Sequence, residues 1–427
     1  MKKLLLIFLA GMFLFSSCGR VQQKKQHYGK KVITIWQTYN NEEHQVFVNI
    51  VKKFEDRNPE IKLNVQRIPW GGHQTKLLVS MVTHTAPDIC RVDVGIMPRL
   101  VKSGTIIDLT EYGALEIAEN LMPAAVNSNI YPESFFIAGS TSSKKHIFGL
   151  PDQTTGVALF YNRKLFKKAG VSSLPANWNE FIEVARKLTI DTNNDGRPDI
   201  YGFGMWGGLW FNFPFFNTFG VKFTDESGKK CLLYSENAKN ALSLMLKIAN
   251  SGIEGGAWQT GAINPELGFL QEMYAMVFAG PWNVKRFKDA GIDFGVVLIP
   301  EGPAGTSTNV GGTNMVILRE TKYPRECYEF LKFFTSPEVQ AEWCNALGQI
   351  PVNTKAIPKI DFSKNPEIKV FTEQMKTAIA RPPVLDYDRL EEIMTAEIYA
   401  VLSKQKTPDK ALNDAVKRIE NEVLSFE

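Results

Sequence analysis

The chain has 427 residues, 44% of them hydrophobic and 22% charged. That length exceeds one ordinary core and suits two domains, and the composition excludes a disordered chain, a collagen-like fibre and a multi-span membrane protein. The formal net charge of +4, from 49 basic and 45 acidic residues, is spread without a basic block, so no nucleic-acid partner is expected. Aromatics at 11%, with eight Trp, point instead to a surface for something flat and neutral.

Lys2 and Lys3 precede an apolar stretch over 4–15, too short to span a bilayer. Ser16, Ser17 and Cys18 follow. Small residues directly before a Cys resemble a bacterial lipoprotein signal, which makes 1–17 the signal peptide and Cys18 the lipidated first residue. Phe15 stands where that pattern prefers Leu. An ordinary secretory signal cut nearby is the other reading, and both export the protein. Residues 18–30, polar and rich in Lys and Gln, read as a flexible tether. Cys90, Cys231, Cys327 and Cys344 show no CxxC or zinc spacing. Buried free thiols are the expectation, with one disulfide as the alternative in an exported protein.

The sequence 31–36 (KVITIW) alternates and is β-branched, and it predicts a first strand. A helix is predicted over 42–57, with Val46, Ile50, Val51 and Phe54 on one side, stopping before Asn58-Pro59. A strand over 61–68, a helix over 74–83 and a strand over 89–92 complete a β-α-β-α-β opening, the signature of an open α/β sheet. Further strands are predicted at 156–161, 276–278, 294–298 and 315–318. Helices are predicted at 178–188, 238–250, 323–335, 337–347, 390–403 and 409–424.

Several segments then carry a resemblance in order: KVITIWQTYN, FEDRNPEIKLNV, THTAPDIC followed by VDVG, KSGTIIDLT, IFGLPDQTTGVALFYNRKLFKKAGV and LPANWNEFIEVARKLT, and later MVFAGPWN, GVVLIPEGP, GGTNMVI and ALGQIPVN. From about Lys31 to the carboxyl end the chain resembles the extracellular solute-binding proteins of ABC importers, in the carbohydrate-binding group that includes maltose-binding proteins. The resemblance implies a periplasmic-binding-protein-like α/β fold. Two α/β lobes would hold a ligand cleft and be joined by interlobe crossover segments. Lobe one would be 31–150 plus 294–336, and lobe two 152–292 plus 337–427. Hinge closure around the ligand follows from such an arrangement.

A neutral sugar presents C–H faces that stack on aromatic rings, and hydroxyls that carboxylates, amides and Arg satisfy. Ligands of open α/β sheets bind beyond the carboxyl ends of strands. That puts Trp36 and Gln37, after the first strand, and Trp70, after the second, among the candidates. Asp93 resembles the acidic cleft residue of the family, with a helix cap as its equal alternative. Trp206 and Trp210 stand among glycines in GFGMWGGLW, and Trp258 stands in GGAWQTG. Trp282 in AGPWN matches the family's stacking tryptophan. Gly311 and Gly312 resemble the family's GG before a strand, where backbone approaches ligand. Asn314, Asn353 and Arg381 are further polar candidates. Trp178 and Trp343 read as core.

The sharpest short motif is Asp191, Asn193, Asp195, Gly196, Arg197 and Asp199. Side-chain oxygens at positions 1, 3, 5 and 9, with the Arg197 carbonyl at 7, match the first part of a calcium loop. Position 12 is Gly202, so the bidentate Glu is absent. A structural calcium ion completed from elsewhere and a turn closed by Asx hydrogen bonds are equal readings. No other cofactor is expected. GFGMWG over 202–207 satisfies GxGxxG, but Phe203 and Trp206 suit no phosphate cradle. Ser142 and Lys145 form a chance SxxK. With no HExxH, GxSxG or GxxxxGK[ST], catalysis has no sequence support.

The expectation is therefore no enzyme but a sugar-binding component of an ABC importer, with an oligosaccharide as its ligand. It would be monomeric, attached to the membrane by lipid alone, and would dock on permease subunits. A binder of another solute, such as glycerol phosphate, is the first rival. A secreted carbohydrate-active enzyme using Asp93 and Asp152 as its paired carboxylates is the second.

Overall fold

The computed structural model describes residues 29–225 and 228–426. The signal peptide, Cys18 and nearly all of the tether lie outside the described residues. No helix among the described residues is long and apolar enough to cross a membrane.

The β-branched alternation that opens the chain forms β1 (Lys31–Gln37), and the next two apolar runs form β2 (Ile61–Arg67) and β3 (Ile89–Asp93). The intervening helix Asn41–Arg57 starts on a capping box. Asn40 accepts from the Glu43 amide, and the Glu43 carboxylate accepts from the Asn40 amide. β4 (Leu150–Thr155) and β8 (Gly311–Ile317) complete a five-stranded sheet in the order β2-β1-β3-β8-β4. β1 pairs in parallel with β2 and β3, while β8 runs antiparallel to β3 and β4. A second, antiparallel sheet orders β6 (Met276–Ala279), β5 (Ala158–Asn162) and β7 (Phe294–Val297) as β6-β5-β7.

Each sheet has its own core. Ile33, Ile35, Phe47, Phe54, Phe330, Phe334 and Trp343 pack on one side of the first sheet. Trp36, Leu77, Met97 and Val316 pack on the other. The second sheet packs against helices Trp178–Leu188, Leu209–Thr218, Glu236–Ala249, Tyr387–Leu402 and Pro408–Glu422. Trp178 and Trp343 are core residues, 5% and 0% exposed. The four described cysteines are buried and free.

The crossings lie elsewhere than expected. Residues 152–155 belong to β4 of the first sheet, and β7 pairs with β5 in the second. Helix Pro337–Leu347 buries Val339, Trp343 and Leu347 in the first core, not the second. Apolar strands and amphipathic helices read alike on either lobe, so pattern alone does not tell which sheet recruits them. Two crossings are stitched together. The Thr308 hydroxyl donates to the Val157 carbonyl at 2.9 Å and accepts from the Val157 amide at 3.0 Å.

Two local readings also differ. The single strand predicted over 156–161 opens with a bend at Gly156-Val157, just past the end of β4, and only 158–161 are strand, in β5. A Cβ on Gly156 would lie 3.0 Å from the Met375 sulfur and 3.1 Å from the Asn309 carbonyl oxygen, so only glycine leaves room for this bend. Helix Leu209–Thr218 carries no periodic signal because it is apolar all round and holds Pro214 inside.

Candidate functional site

The carboxyl ends of β1, β3 and β4 rest on a buried polar layer. Arg91 donates to Asp152 at 2.8 Å and to the Thr38 hydroxyl and the Gln153 side-chain oxygen Oε1. The Tyr39 hydroxyl donates to Asp152 at 2.7 Å, and the Arg91 guanidinium lies 4.3 Å from the centre of the Tyr39 ring. Gln153 and Gln349 both donate to Glu43, at 3.0 and 2.6 Å. The Arg91–Asp152 pair balances its charge within this layer and helps fix the strand ends above it, while Asp152 Oδ1 meets no hydrogen-bond donor among the described residues.

Asp93, at the end of β3, faces the second lobe. Its Oδ1 accepts from the Gly95 amide at 2.7 Å and from Arg381 Nη1 at 2.6 Å, and its Oδ2 accepts from Arg381 Nη2 at 3.2 Å. The helix-cap reading of Asp93 holds, and the same carboxylate also pairs with Arg381. Arg381 leads into helix Tyr387–Leu402, whose Tyr387 and Leu390 belong to the second core, so the ion pair spans the lobes. A Cβ on Gly95 would lie 2.9 Å from Asp93 Oδ1 and 3.1 Å from Arg381 Nη1, so glycine admits the pair. Beside it lies a cavity of about 290 Å³ lined by Trp70, Gly71, Gly72, His73, Asp93 and Asp388. Trp70 is 55% exposed. Burial and the nearby Asp93 charge raise the Asp388 carboxyl above its ordinary value. Burial, with Arg91 and Lys76 nearby, lowers His73 to about 4.

An aromatic group borders the same region from the second lobe. Trp206 stacks on Phe211 with centroids 4.0 Å apart and planes 8° apart. Trp210 meets Phe211 edge-on at 4.9 Å and Trp282 at 5.6 Å. All four rings are half-buried. Trp210 also rests on the start of β8, since a Cβ on Gly311 would lie 2.6 Å from its ring. Thr313, two residues along that strand, is the register partner of Asp93. Two strand residues span about 7 Å, so the rings and the ion pair are neighbours. Trp210 Nε1 and Arg381 Nε are buried and meet no acceptor among the described residues.

The remaining predicted residues are engaged by protein, against expectation. Trp36 is 7% exposed; its Nε1 donates to Gln66 at 3.0 Å and the Lys76 ammonium lies 4.5 Å from the ring centre. Gln37 is fully buried between His44 and the Tyr39 amide, 2.8 and 2.6 Å away. Trp258 sits in the second core, edge-on to Tyr399. Gly311 makes room for Trp210. Gly312, at φ +117°, makes room for the Gln153 carbonyl oxygen, which a Cβ there would approach to 2.2 Å. Asn314 bonds Asn129 and Ser128, and Asn353 bonds Thr335 and the Lys355 amide. Strand-end position does not tell whether a side chain points outward or is already satisfied. Phe211, Asp388 and Glu266 escape sequence reading. Phe211 lies in the same aromatic run as Trp210, which is the available signal.

In the 191–199 loop the carboxylates accept backbone amides. Asp191 accepts from Gly196 at 2.8 Å, Asp195 from Arg197 at 2.8 Å, and Asp199 from Thr192 at 2.7 Å. Asn193 Oδ1 accepts from the Asp195 amide at 2.8 Å. Among the described residues no group of three or more His, Cys, Asp or Glu is placed to hold a metal ion.

Two α/β lobes, stitched crossings and a lined cleft define a protein that captures a small solute between its lobes. The chain belongs to the bacterial extracellular solute-binding protein family, whose profile matches residues 40–341. A maltooligosaccharide ABC transporter solute-binding lipoprotein of Streptococcus pneumoniae is 21% identical, covering 98% of this chain and 95% of its own. The sn-glycerol-3-phosphate-binding periplasmic protein UgpB of Salmonella paratyphi A is 24% identical, covering 92% and 93%. The GacH receptor of Streptomyces glaucescens, solved unliganded and with acarbose, has the same fold, with a TM-score of 0.78, 24% identity and coverage of 92% and 98%.

Proposed function

We propose that this protein captures a sugar, an oligosaccharide, in the cleft and delivers it to the permease subunits of an ABC importer. A lipid on Cys18 would hold the monomer at the outer face of a bacterial membrane, and no reaction would be catalysed. The single observation that carries the sugar reading is the aromatic group of Trp206, Trp210, Phe211 and Trp282 beside the Asp93–Arg381 pair. Rings stack on sugar C–H faces along successive units, while Trp210 Nε1 and Arg381 Nε offer donors to ring and hydroxyl oxygens. Trp70 and Asp388 would extend the contact toward the mouth.

Sugar binders and glycerol phosphate binders both stand among the relatives. The charge pattern favours the uncharged ligand. Both Arg381 Nη atoms are taken by Asp93, and the adjoining cavity is lined by two carboxylates and no Lys or Arg, so a phosphate would meet net repulsion. Asp152, the second carboxylate a glycosidase would need, is held by Arg91 and Tyr39, which supports binding without turnover.

The test is thermal unfolding of the soluble chain from Lys31 against maltose, maltotriose, cellotriose, mannotriose and sn-glycerol 3-phosphate. A ligand at about one hundred times its Kd adds about 2.7 kcal/mol. A shift with a sugar, lost in Trp282→Ala, supports the proposal; a shift with glycerol phosphate alone overturns it. Calcium at the 191–199 loop is tested in the same assay. A calcium-dependent rise abolished by Asp191→Asn supports an ion there, and an unchanged midpoint leaves the loop closed by its Asx hydrogen bonds alone.

A further inference from the structure

We infer that Glu266 is a positioning residue for the stacking ring of Trp282. The inference rests on the reading that Trp282 contacts the bound sugar. Trp282 opens helix Trp282–Asp289, directly after the strand-and-turn sequence of β6 and Gly280-Pro281. Its Nε1 donates to Glu266 Oε1 at 3.2 Å, and the neighbouring Asn283 side-chain amide donates to the same oxygen at 2.5 Å. Glu266 Oε2 lies 3.5 Å from Arg286 Nη1, one turn further along that helix. One carboxylate thus ties the ring, the residue after it and the next turn to helix Pro265–Leu270.

The opposite edge of the ring is fixed sterically. A Cβ on Gly280 would lie 1.8 Å from Trp282 Cζ3 and 2.1 Å from Cη2, so the benzo edge rests on bare backbone. With the pyrrole edge bonded and the benzo edge against Gly280, rotation about the side-chain bonds is blocked at both ends. The ring remains half-buried, with Trp210 and Phe211 at 5.6 and 6.4 Å.

Holding a carboxylate there is costly. The Glu266 side chain is 14% exposed, and its cationic neighbour Arg286 is 46% exposed. Burial raises the carboxyl above its ordinary value, opposed by the Asn283 and Trp282 bonds. An apolar side chain would fill the volume without that desolvation cost. What only an acceptor at this position supplies is a fixed indole, and a ring already oriented loses no rotamer freedom when the sugar binds.

The experiment compares wild type, Glu266→Gln and Glu266→Leu, with Glu266→Met as the second apolar variant should Leu fail to fold. All are labelled with 5-fluorotryptophan, and the Trp282 resonance is assigned by its loss in Trp282→Phe. Gln keeps an acceptor oxygen and should leave the fluorine line at its wild-type position. Leu or Met should move and broaden it without ligand present. Titration with whichever of the sugars above most stabilises wild type should give a Kd about fivefold weaker for the apolar variants and near wild type for Gln, the scale of re-ordering one side chain on binding. A Trp282 line unmoved by the apolar variants overturns the inference, as does an unchanged affinity in a wild type that binds. If no sugar binds wild type, the sugar reading falls while the fluorine spectra still decide whether Glu266 fixes the ring.

Discussion

Asp93→Asn isolates the charge of the interlobe pair, because an Asn oxygen can still accept from the Gly95 amide now 2.7 Å from Asp93 Oδ1. The carboxylate and guanidinium side chains are 11% and 9% exposed and joined by two hydrogen bonds. Removing Asp93 takes away the bonded counter-charge of the buried Arg381 and leaves Glu391 and Asp388 as the nearest carboxyls, at about 3 kcal/mol. Arg381→Met keeps the aliphatic stem and deletes the charge, and it also removes the guanidinium 4.9 Å from the Tyr387 ring centre, about 0.5–1 kcal/mol more. The double variant strands neither charge. Its loss should therefore fall short of the sum of the single losses by about 2–3 kcal/mol. Urea unfolding of the four proteins, followed by near-ultraviolet circular dichroism, measures the cycle. A coupling below about 0.5 kcal/mol, the error of additive distant sites, would refute the claim that the pair joins the lobes in solution.

Three further outcomes follow from the site and the layer beneath it. Asp152→Asn should destabilise by about 3 kcal/mol, since it removes the carboxylate bonded to the buried Arg91 and leaves Glu43 of the same layer as the nearest counter-charge; urea unfolding reads this, and a loss under about 1 kcal/mol contradicts the buried-pair account. His73 has a folded pKa of about 4, depressed below the ordinary 6.5, so the unfolded chain takes up the proton first. Its contribution to stability is complete above about pH 6.5 and is lost as pH falls from there to about 4, and His73→Gln should flatten that part of the profile. Gly311→Ala places a methyl where the Trp210 ring and the Thr155 hydroxyl stand 2.6 and 2.7 Å away. It should weaken sugar binding by about tenfold through displacement of the ring, and calorimetric titration giving wild-type affinity would contradict that placement.

The β-branched alternation of 31–36 and the helical spacing of Val46, Ile50 and Phe54 were sufficient to set the first strand and helix, because Ile33 and Ile35 keep one face of the strand, and the helix one side, on the same core. The helix Leu209–Thr218 kept none, being packed on several sides. Trp210 was legible as a site candidate from the glycines around it, and Trp282 from its resemblance to the family's stacking tryptophan. Trp258 carried the same glycine signal and Trp36 stood at a strand end, yet both are core residues, since neither a neighbouring glycine nor a strand end tells whether the ring packs on ligand or on protein.

By itself the sequence determined the α/β class and the family, and it narrowed the candidate rings to the tryptophans outside the two read as core. These follow from local periodicity, composition and the order of short segments. Only the tertiary structure decided which lobe each strand joined, that Asp93 meets Arg381 across 288 residues of chain, and that Glu266 holds Trp282. Such pairings depend on where distant backbone segments converge, and neither burial nor a buried charge's partner is encoded in the residues adjacent to it.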